Sequence, residues 1–300
     1  MASRLRELLA SGKPILCDGG MGSQLVERGL RVGECPERWN VDRGDAVKSV
    51  HDAYVAAGCD LVTTNTFGGS SLALARHGLD SQTRAFNVAG AQVARAAAGD
   101  RVAVLGDVGP LTAMLEPYGD CSEPDAAASF AQQVEALTAG GVDGFVVETM
   151  SDPTELSLAV KEAARTGLPV IATFTYSRTA GGDYRTMMGT TIRDAVAAAI
   201  DAGASVVGTN CGTSLSLEDY LQLASQLVAA AAGTPVIVQP NAGSPKTIDD
   251  RVVYDAAPAD LATLVPLLLE SGVRIIGGCC GTTPAHLAAM RAALDARAKT

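Results

Sequence analysis

Eight short apolar runs recur along the chain, each followed by a stretch with helical spacing of apolar positions. They are Pro14–Cys17, Asp60–Thr64, Arg101–Leu105, Gly144–Val147, Pro169–Phe174, Ser205–Gly208, Pro235–Val238 and Val273–Ile276. Most are β-branched and continuous rather than alternating, which predicts strands buried on both faces. The segments between them carry helix punctuation. Ser122-Glu123-Pro124 and Ser151-Asp152-Pro153 read as helix starts, and Ser216-Leu217-Glu218-Asp219 as an Asp-bearing capping box. Leu261, Leu264, Val265 and Leu268 form one apolar stripe. Gly58, Gly167, Gly203 and Gly272 each end a helix just before the next strand. Met1–Ala10 mixes charge into its apolar positions and predicts a short amphipathic helix, not a secretory signal.

Eight strand–helix units in 300 residues predict a (β/α)8 TIM barrel, as a single domain spanning residues 1–300 with its core over about 10–295. The doubly wound open sheet is the competing arrangement. A barrel would gather all eight strand ends at one mouth. Polar and glycine-rich motifs do follow the runs: Asp18–Gly22, Asn65–Gly69, Asp107–Pro110, Glu148–Met150, Thr175-Tyr176, Asn210–Gly212, Gln239–Gly243 and Gly278–Gly281. That clustering argues for an enzyme.

Composition narrows the class. Aromatic residues are only 4% against 47% hydrophobic, so the core must be aliphatic and Ala-rich. The net charge of −10, without a Lys/Arg-rich run, argues against nucleic acid and anionic membranes as partners. No apolar segment approaches the roughly 18 residues of a membrane span. Seven cysteines, an odd number in a long helix-rich chain, point to reduced thiols and a cytoplasmic protein rather than a disulfide framework.

Three constellations carry candidate chemistry. Cys279 and Cys280 sit among Gly277, Gly278 and Gly281 at the end of the eighth run, before a helix start at Thr283-Pro284. The pair reads as ligands for a soft metal or as small residues in a tight turn. In a barrel, Cys211 at the sixth strand end can join them, and three thiolates with an open fourth position are the pattern of a catalytic Zn²⁺. Such a centre carries a net negative charge. It suits a substrate thiolate used as a nucleophile better than a bound water. Cys17, Cys35, Cys59 and Cys121 read as buried or incidental, and His51, His77 and His286 as helix-surface residues. Second, Asp18-Gly19-Gly20-Met21-Gly22 offers successive backbone amides before a helix, fit for a carboxylate or a phosphate, or only a tight turn. Third, Glu148 can bind an ammonium or form a structural ion pair. An anion nest, a carboxylate and a thiophilic metal together describe an amino-acid thiol.

These motifs, with Gln239-Pro240-Asn241-Ala242-Gly243, resemble the homocysteine S-methyltransferase family, over roughly residues 10 to 295. The resemblance implies a zinc-dependent barrel that methylates homocysteine to methionine. It implies Cys211, Cys279 and Cys280 as zinc ligands and catalytic centre, and Asp18, Gly19, Gly20 and Glu148 as contacts to the amino-acid end. Asn241 would lie near the metal, as a labile ligand or a hydrogen-bond partner. Thr64–Gly68 and Gln239–Gly243 look most like the homocysteine-binding module of cobalamin-dependent methionine synthase. Phe67-Gly68 stands where the betaine-using branch has Phe-Tyr, so betaine is a poorer guess. The chain lacks the Asp-x-His-x-x-Gly cobalamin signature. The donor is then a corrinoid (methylcobalamin) carried by a separate protein, or a diffusible S-methylmethionine or S-adenosylmethionine. The alternative reading is a corrinoid-linked methyltransferase acting on another small thiol or amine.

Overall fold

A computed structural model of the chain describes residues 3–212, 214–248 and 251–297. Each apolar run contains a strand: β1 (Ile15–Leu16), β2 (Leu61–Thr63), β3 (Ala103–Val108), β4 (Gly144–Met150), β5 (Val170–Phe174), β6 (Val206–Asn210), β7 (Val236–Gln239) and β8 (Ile275–Ile276). Neighbours are parallel and follow the order β1-β8-β7-β6-β5-β4-β3-β2, so the ring runs in chain order. This is the (β/α)8 barrel, not the open sheet. The β1–β2 seam is joined partly by side chains. The Asp60 N–H donates to the Leu16 carbonyl (2.7 Å), the Leu16 N–H to the Asp60 carboxylate (2.8 Å) and the Thr63 N–H to the Asp18 carboxylate (2.8 Å).

The strands bury both faces, as their composition requires. Inward residues Ile15, Leu61, Leu105, Val146, Ile171, Val206, Ile237 and Ile275 fill the barrel. Their outward neighbours, such as Leu16, Val62, Val104, Val147, Val207 and Val238, belong to the larger core shared with the helices. The amphipathic helix Arg4–Ala10 drives Leu5 into the inner cluster, with Leu8 and Leu9 packed behind it. Full burial of Leu5 contributes roughly 1.5–3 kcal/mol.

Helix ends follow the sequence signals. Ser122 and Asp152 cap Glu123–Gly140 and Pro153–Ala164 through side-chain bonds to backbone amides. Ser216 and Asp219 form a reciprocal capping box on Leu217–Ala231. Leu261, Leu264, Val265 and Leu268 are the buried face of Pro258–Glu270. Gly58, Gly167, Gly203 and Gly272 all have positive φ. Two hairpins were not foreseen, Ser177–Arg178 with Tyr184–Arg185 and Pro245–Ile248 with Arg251–Tyr254. Two of the three histidines depart from the surface reading. His51 is fully buried without a hydrogen-bond partner among the described residues, and burial pushes its pKa down to about 4, so it is neutral. His286 is also buried. Its Nδ1 accepts from the Thr283 N–H (3.1 Å), and its Nε2 then donates to the Ala256 carbonyl (3.0 Å). His77 is exposed, as expected.

Candidate active site

Strand alternation carries the inner face upward from the apolar plug to a polar layer. Two residues beyond Leu61, Leu105, Val146, Ile171 and Ile237 stand Thr63, Asp107, Glu148, Thr173 and Gln239, on the same faces of their strands. All but Thr173 line a cavity of about 260 Å³ at the carboxyl mouth of the barrel, together with Gly19, Gly20, Cys211, Cys279 and Cys280.

The three predicted thiols meet at one edge of this cavity. The Cys211 and Cys280 sulfurs are 3.9 Å apart and those of Cys279 and Cys280 4.0 Å. All three sulfurs lie within 4.8 Å of one another. These separations are too long for a disulfide, whose sulfurs stand about 2.05 Å apart. They match the roughly 3.8 Å expected between thiolates bound at about 2.3 Å to one tetrahedral ion. Backbone geometry makes the convergence. Asn210 points inward, so plain alternation would turn Cys211 away from the barrel axis. Cys211 instead adopts a left-handed φ of 56°, which re-aims its side chain. Gly281, at φ 77°, ends the Cys279-Cys280 turn where a Cβ would strike the Tyr254 ring, from the second hairpin.

The donor set is suited to a cation. Hydrogen bonds from Cys279 and Cys280 hold the Cys211 thiol far below its ordinary range. The same contacts with Cys211 push Cys279 and Cys280 up. The cluster by itself thus favours a single thiolate, and ionising all three requires a positive ion among them. Asn241 braces the arrangement from beneath. Its Oδ1 accepts from the Cys280 N–H (3.1 Å) and its Nδ2 donates to the Gly212 carbonyl (3.2 Å), tying the two cysteine loops together. Asn210, visible in the sequence at the sixth strand end, had no role assigned to it there. Its amide bridges the Thr149 N–H and hydroxyl (2.9 and 2.7 Å) and the Thr173 hydroxyl (2.7 Å), and its Nδ2 lies 3.7 Å from the Cys279 sulfur.

The glycine-rich turn after β1 lies on another side of the cavity. The Gly20 N–H donates to the Thr282 hydroxyl (3.0 Å), which donates in turn to the Cys279 carbonyl (2.7 Å). A Cβ on Gly20 would stand 2.7 Å from that carbonyl oxygen, so only glycine lets the turn approach the cysteine loop. The helix Met21–Glu27 begins there without a side-chain cap, and Met21, Gly22 and Ser23 line the cavity. Its first amides lack acceptors within the helix, as at any helix start. Asp18 is placed differently from Gly19 and Gly20. It is buried outside the cavity lining, and its carboxylate is occupied at the β1–β2 seam by the Thr63 N–H and hydroxyl.

Acidity dominates the remaining wall. Glu148 and Asp107 face the cavity, joined at its rim by Glu37, whose Oε1 accepts from the Gly68 N–H (2.7 Å). Among the described residues no Lys, Arg or His lines the cavity. Burial, then the Asp18 and Cys211 charges, push Glu148 up to about 8. Burial, then Glu148, Asp18 and Glu37, push Asp107 well above the carboxylate range. Burial also raises Asp18 to about 7. Asp107 and Glu37 had no assigned role in the sequence reading, although Asp107 was visible there at a strand end. A second cavity, of about 410 Å³, meets the first at Thr149 and is lined by Met114, Tyr118, Met187, Met188 and Glu155 among others.

Fold and site together define a (β/α)8 barrel with a three-thiol metal-binding geometry and an acid-lined pocket at its carboxyl mouth. A homocysteine S-methyltransferase profile matches residues 15–294, and the chain belongs to that family. It is 31% identical over 310 aligned positions to methionine synthase of Mycobacterium leprae, covering 97% of this chain and 25% of that protein. The methionine synthase of Mycobacterium tuberculosis is likewise 31% identical, over 95% of this chain and 25% of its own length. The chain thus spans about a quarter of the curated relatives it matches. Among solved structures, the metallated form of the homocysteine methyltransferase MmuM from Escherichia coli superposes with a TM-score of 0.78 at 26% identity, covering 96% of this chain and 99% of that one.

Proposed function

We propose that the chain is a zinc-dependent methyltransferase that places a methyl group on the thiol of L-homocysteine, forming methionine. The observation that carries this reading is the convergence of Cys211, Cys279 and Cys280 beside an acid-lined cavity of amino-acid size. Family membership and the activities for which MmuM and the mycobacterial methionine synthases are named support it. The seven free thiols fit a reducing compartment such as the cytoplasm.

In this reading Cys211, Cys279 and Cys280 hold the zinc, and Asn241 keeps their two loops in register. Zinc bound there would supply a soft Lewis acid that keeps a substrate thiol ionised at neutral pH. The amides at the start of Met21–Glu27, positioned by the Gly19-Gly20 turn, receive the substrate carboxylate, and Glu148 accepts a hydrogen bond from its ammonium. Asp18 supports that end indirectly, by fixing the turn to β2. Held so, the substrate sulfur attacks the methyl carbon in line. The sulfur–carbon bond forms as the bond to the donor breaks, and the thiol proton has already gone to solvent. Orientation and exclusion of water supply most of the acceleration.

Among the described residues no His, Lys or Arg lines either cavity, and in this reading Glu148 is committed to the substrate ammonium, so a donor that leaves without a proton fits the site best. A sulfonium donor leaves as a neutral thioether, and a methylated corrinoid on a separate protein keeps the electron pair on its metal. Exposed Phe67, Met114, Tyr118 and Met187 give the barrel an apolar rim on which a corrinoid protein can dock. The test is methionine formation by purified, zinc-loaded protein from L-homocysteine with each donor separately. Turnover is expected with S-methylmethionine, S-adenosylmethionine or methylcobalamin, and none with methyltetrahydrofolate alone. No methionine from any donor, or rapid turnover with methyltetrahydrofolate alone, would contradict the proposal.

A further inference from the structure

We propose that Asp107 is a second carboxylate anchor for the substrate ammonium, and that it makes the site select an amino-acid thiol over a thiol acid lacking the amino group. The inference rests on the homocysteine reading and adds to it a residue that fixes specificity.

The argument starts from register. Asp107 on β3 pairs with Val146 on β4, and Glu148 is two residues further along the same strand. Side chains two apart share a face, so both carboxyls project into the barrel from adjacent strands. Both line the cavity. Their situations differ from those of the other acids nearby. Asp18 accepts from Thr63, and Glu37 from Gly68. Asp107 is only 6% exposed, and its Oδ1 meets no donor among the described residues. A buried acceptor left without a partner is costly, and the cost is greater for a charged group.

Among the described residues no donor meets that oxygen. The Asp107 backbone is secured separately. Its N–H donates to the Thr64 hydroxyl (3.0 Å), and its carbonyl accepts from the Thr66 hydroxyl (2.8 Å) and the Gln133 amide (3.2 Å). The side chain is therefore free to serve a ligand. Since no basic residue among those described lines the cavity, the cation arrives with that ligand. An ammonium has three N–H donors. Glu148 can take one and Asp107 another, which gives the buried Asp107 carboxyl a partner, and the arriving positive charge favours the ionised form of both acids. A thiol acid without the amino group would leave both carboxyls unpaired.

The test is calorimetric titration of zinc-loaded wild type, Asp107→Asn and Asp107→Ser with L-homocysteine and with 4-mercaptobutanoate, which keeps the thiol and carboxylate but lacks the amino group. It needs no methyl donor. Loss of one charge-assisted bond predicts roughly ten- to hundredfold weaker homocysteine binding in both variants. Binding of 4-mercaptobutanoate should be no weaker than in wild type, with zinc content and melting temperature unchanged. A wild-type preference for homocysteine that survives intact in both variants would overturn the role of Asp107 alone. Equal weakening for both ligands would do the same, by showing a general loss of the site. A wild type that does not prefer homocysteine over its deaminated analogue would remove the homocysteine reading and the proposal together.

Discussion

Replacing Cys211 by Ser is expected to empty the metal centre and to slow methionine formation by on the order of a thousandfold or more, ~4 kcal/mol of barrier. Removal of one thiolate leaves two protein ligands, too few for a tight zinc site. The substrate thiol then returns toward its ordinary pKa of about 8.5 and is mostly protonated at neutral pH. Cys279→Ser and Cys280→Ser should behave alike, because all three sulfurs belong to one cluster. Cys35 and Cys121 are buried elsewhere, Cys35 against Leu74 and Phe86 and Cys121 beside the Ser122 carbonyl, so their Ser variants should keep the zinc. Metal analysis with single-turnover assays on the five variants checks this. Full zinc occupancy in Cys211→Ser would remove that residue from the ligand set.

The second large effect is expected at Glu148. Changing it to Gln should raise the homocysteine KM by roughly ten- to hundredfold, the equivalent of about 1.5–3 kcal/mol for a charge-assisted hydrogen bond. The kcat should change far less and zinc content not at all, because Glu148 acts on the ammonium and not on the sulfur. Homocysteine titrations of both proteins measure it. An unchanged KM would show that the ammonium lies elsewhere in the cavity.

Much of this architecture was legible because the chemistry is local. Runs such as Val170–Ala172 and Val206–Gly208 are apolar on both faces, as strands of a parallel sheet covered by helices require. Helix ends at Ser122, Asp152 and Ser216 were readable because a cap is made within three residues of itself. The three site cysteines could be brought together on paper because barrel topology fixes which strand ends are neighbours. What escaped depends on register and on the opposite side of the barrel. The sequence shows Asp107 at a strand end, but only its pairing with Val146 places it beside Glu148. Asp18 stands next to two cavity glycines, yet its carboxylate helps close the β1–β2 seam, an interaction spanning 45 residues. His51 looked like a surface residue because its flanks, Lys48 and Asp52, are polar, while its own position falls on the buried stripe with Val47, Val50 and Tyr54. The hairpin that brings Tyr254 to the Cys279-Cys280 turn has a strand of mixed polarity with no distinctive turn signal.

The most direct test of the account is X-ray absorption at the zinc edge, recorded on the zinc-loaded protein before and after L-homocysteine is added. The account predicts one zinc per chain with three sulfur neighbours in the free protein and four with homocysteine bound. Fewer than three sulfurs in the free protein, or a count that homocysteine leaves unchanged, would contradict it.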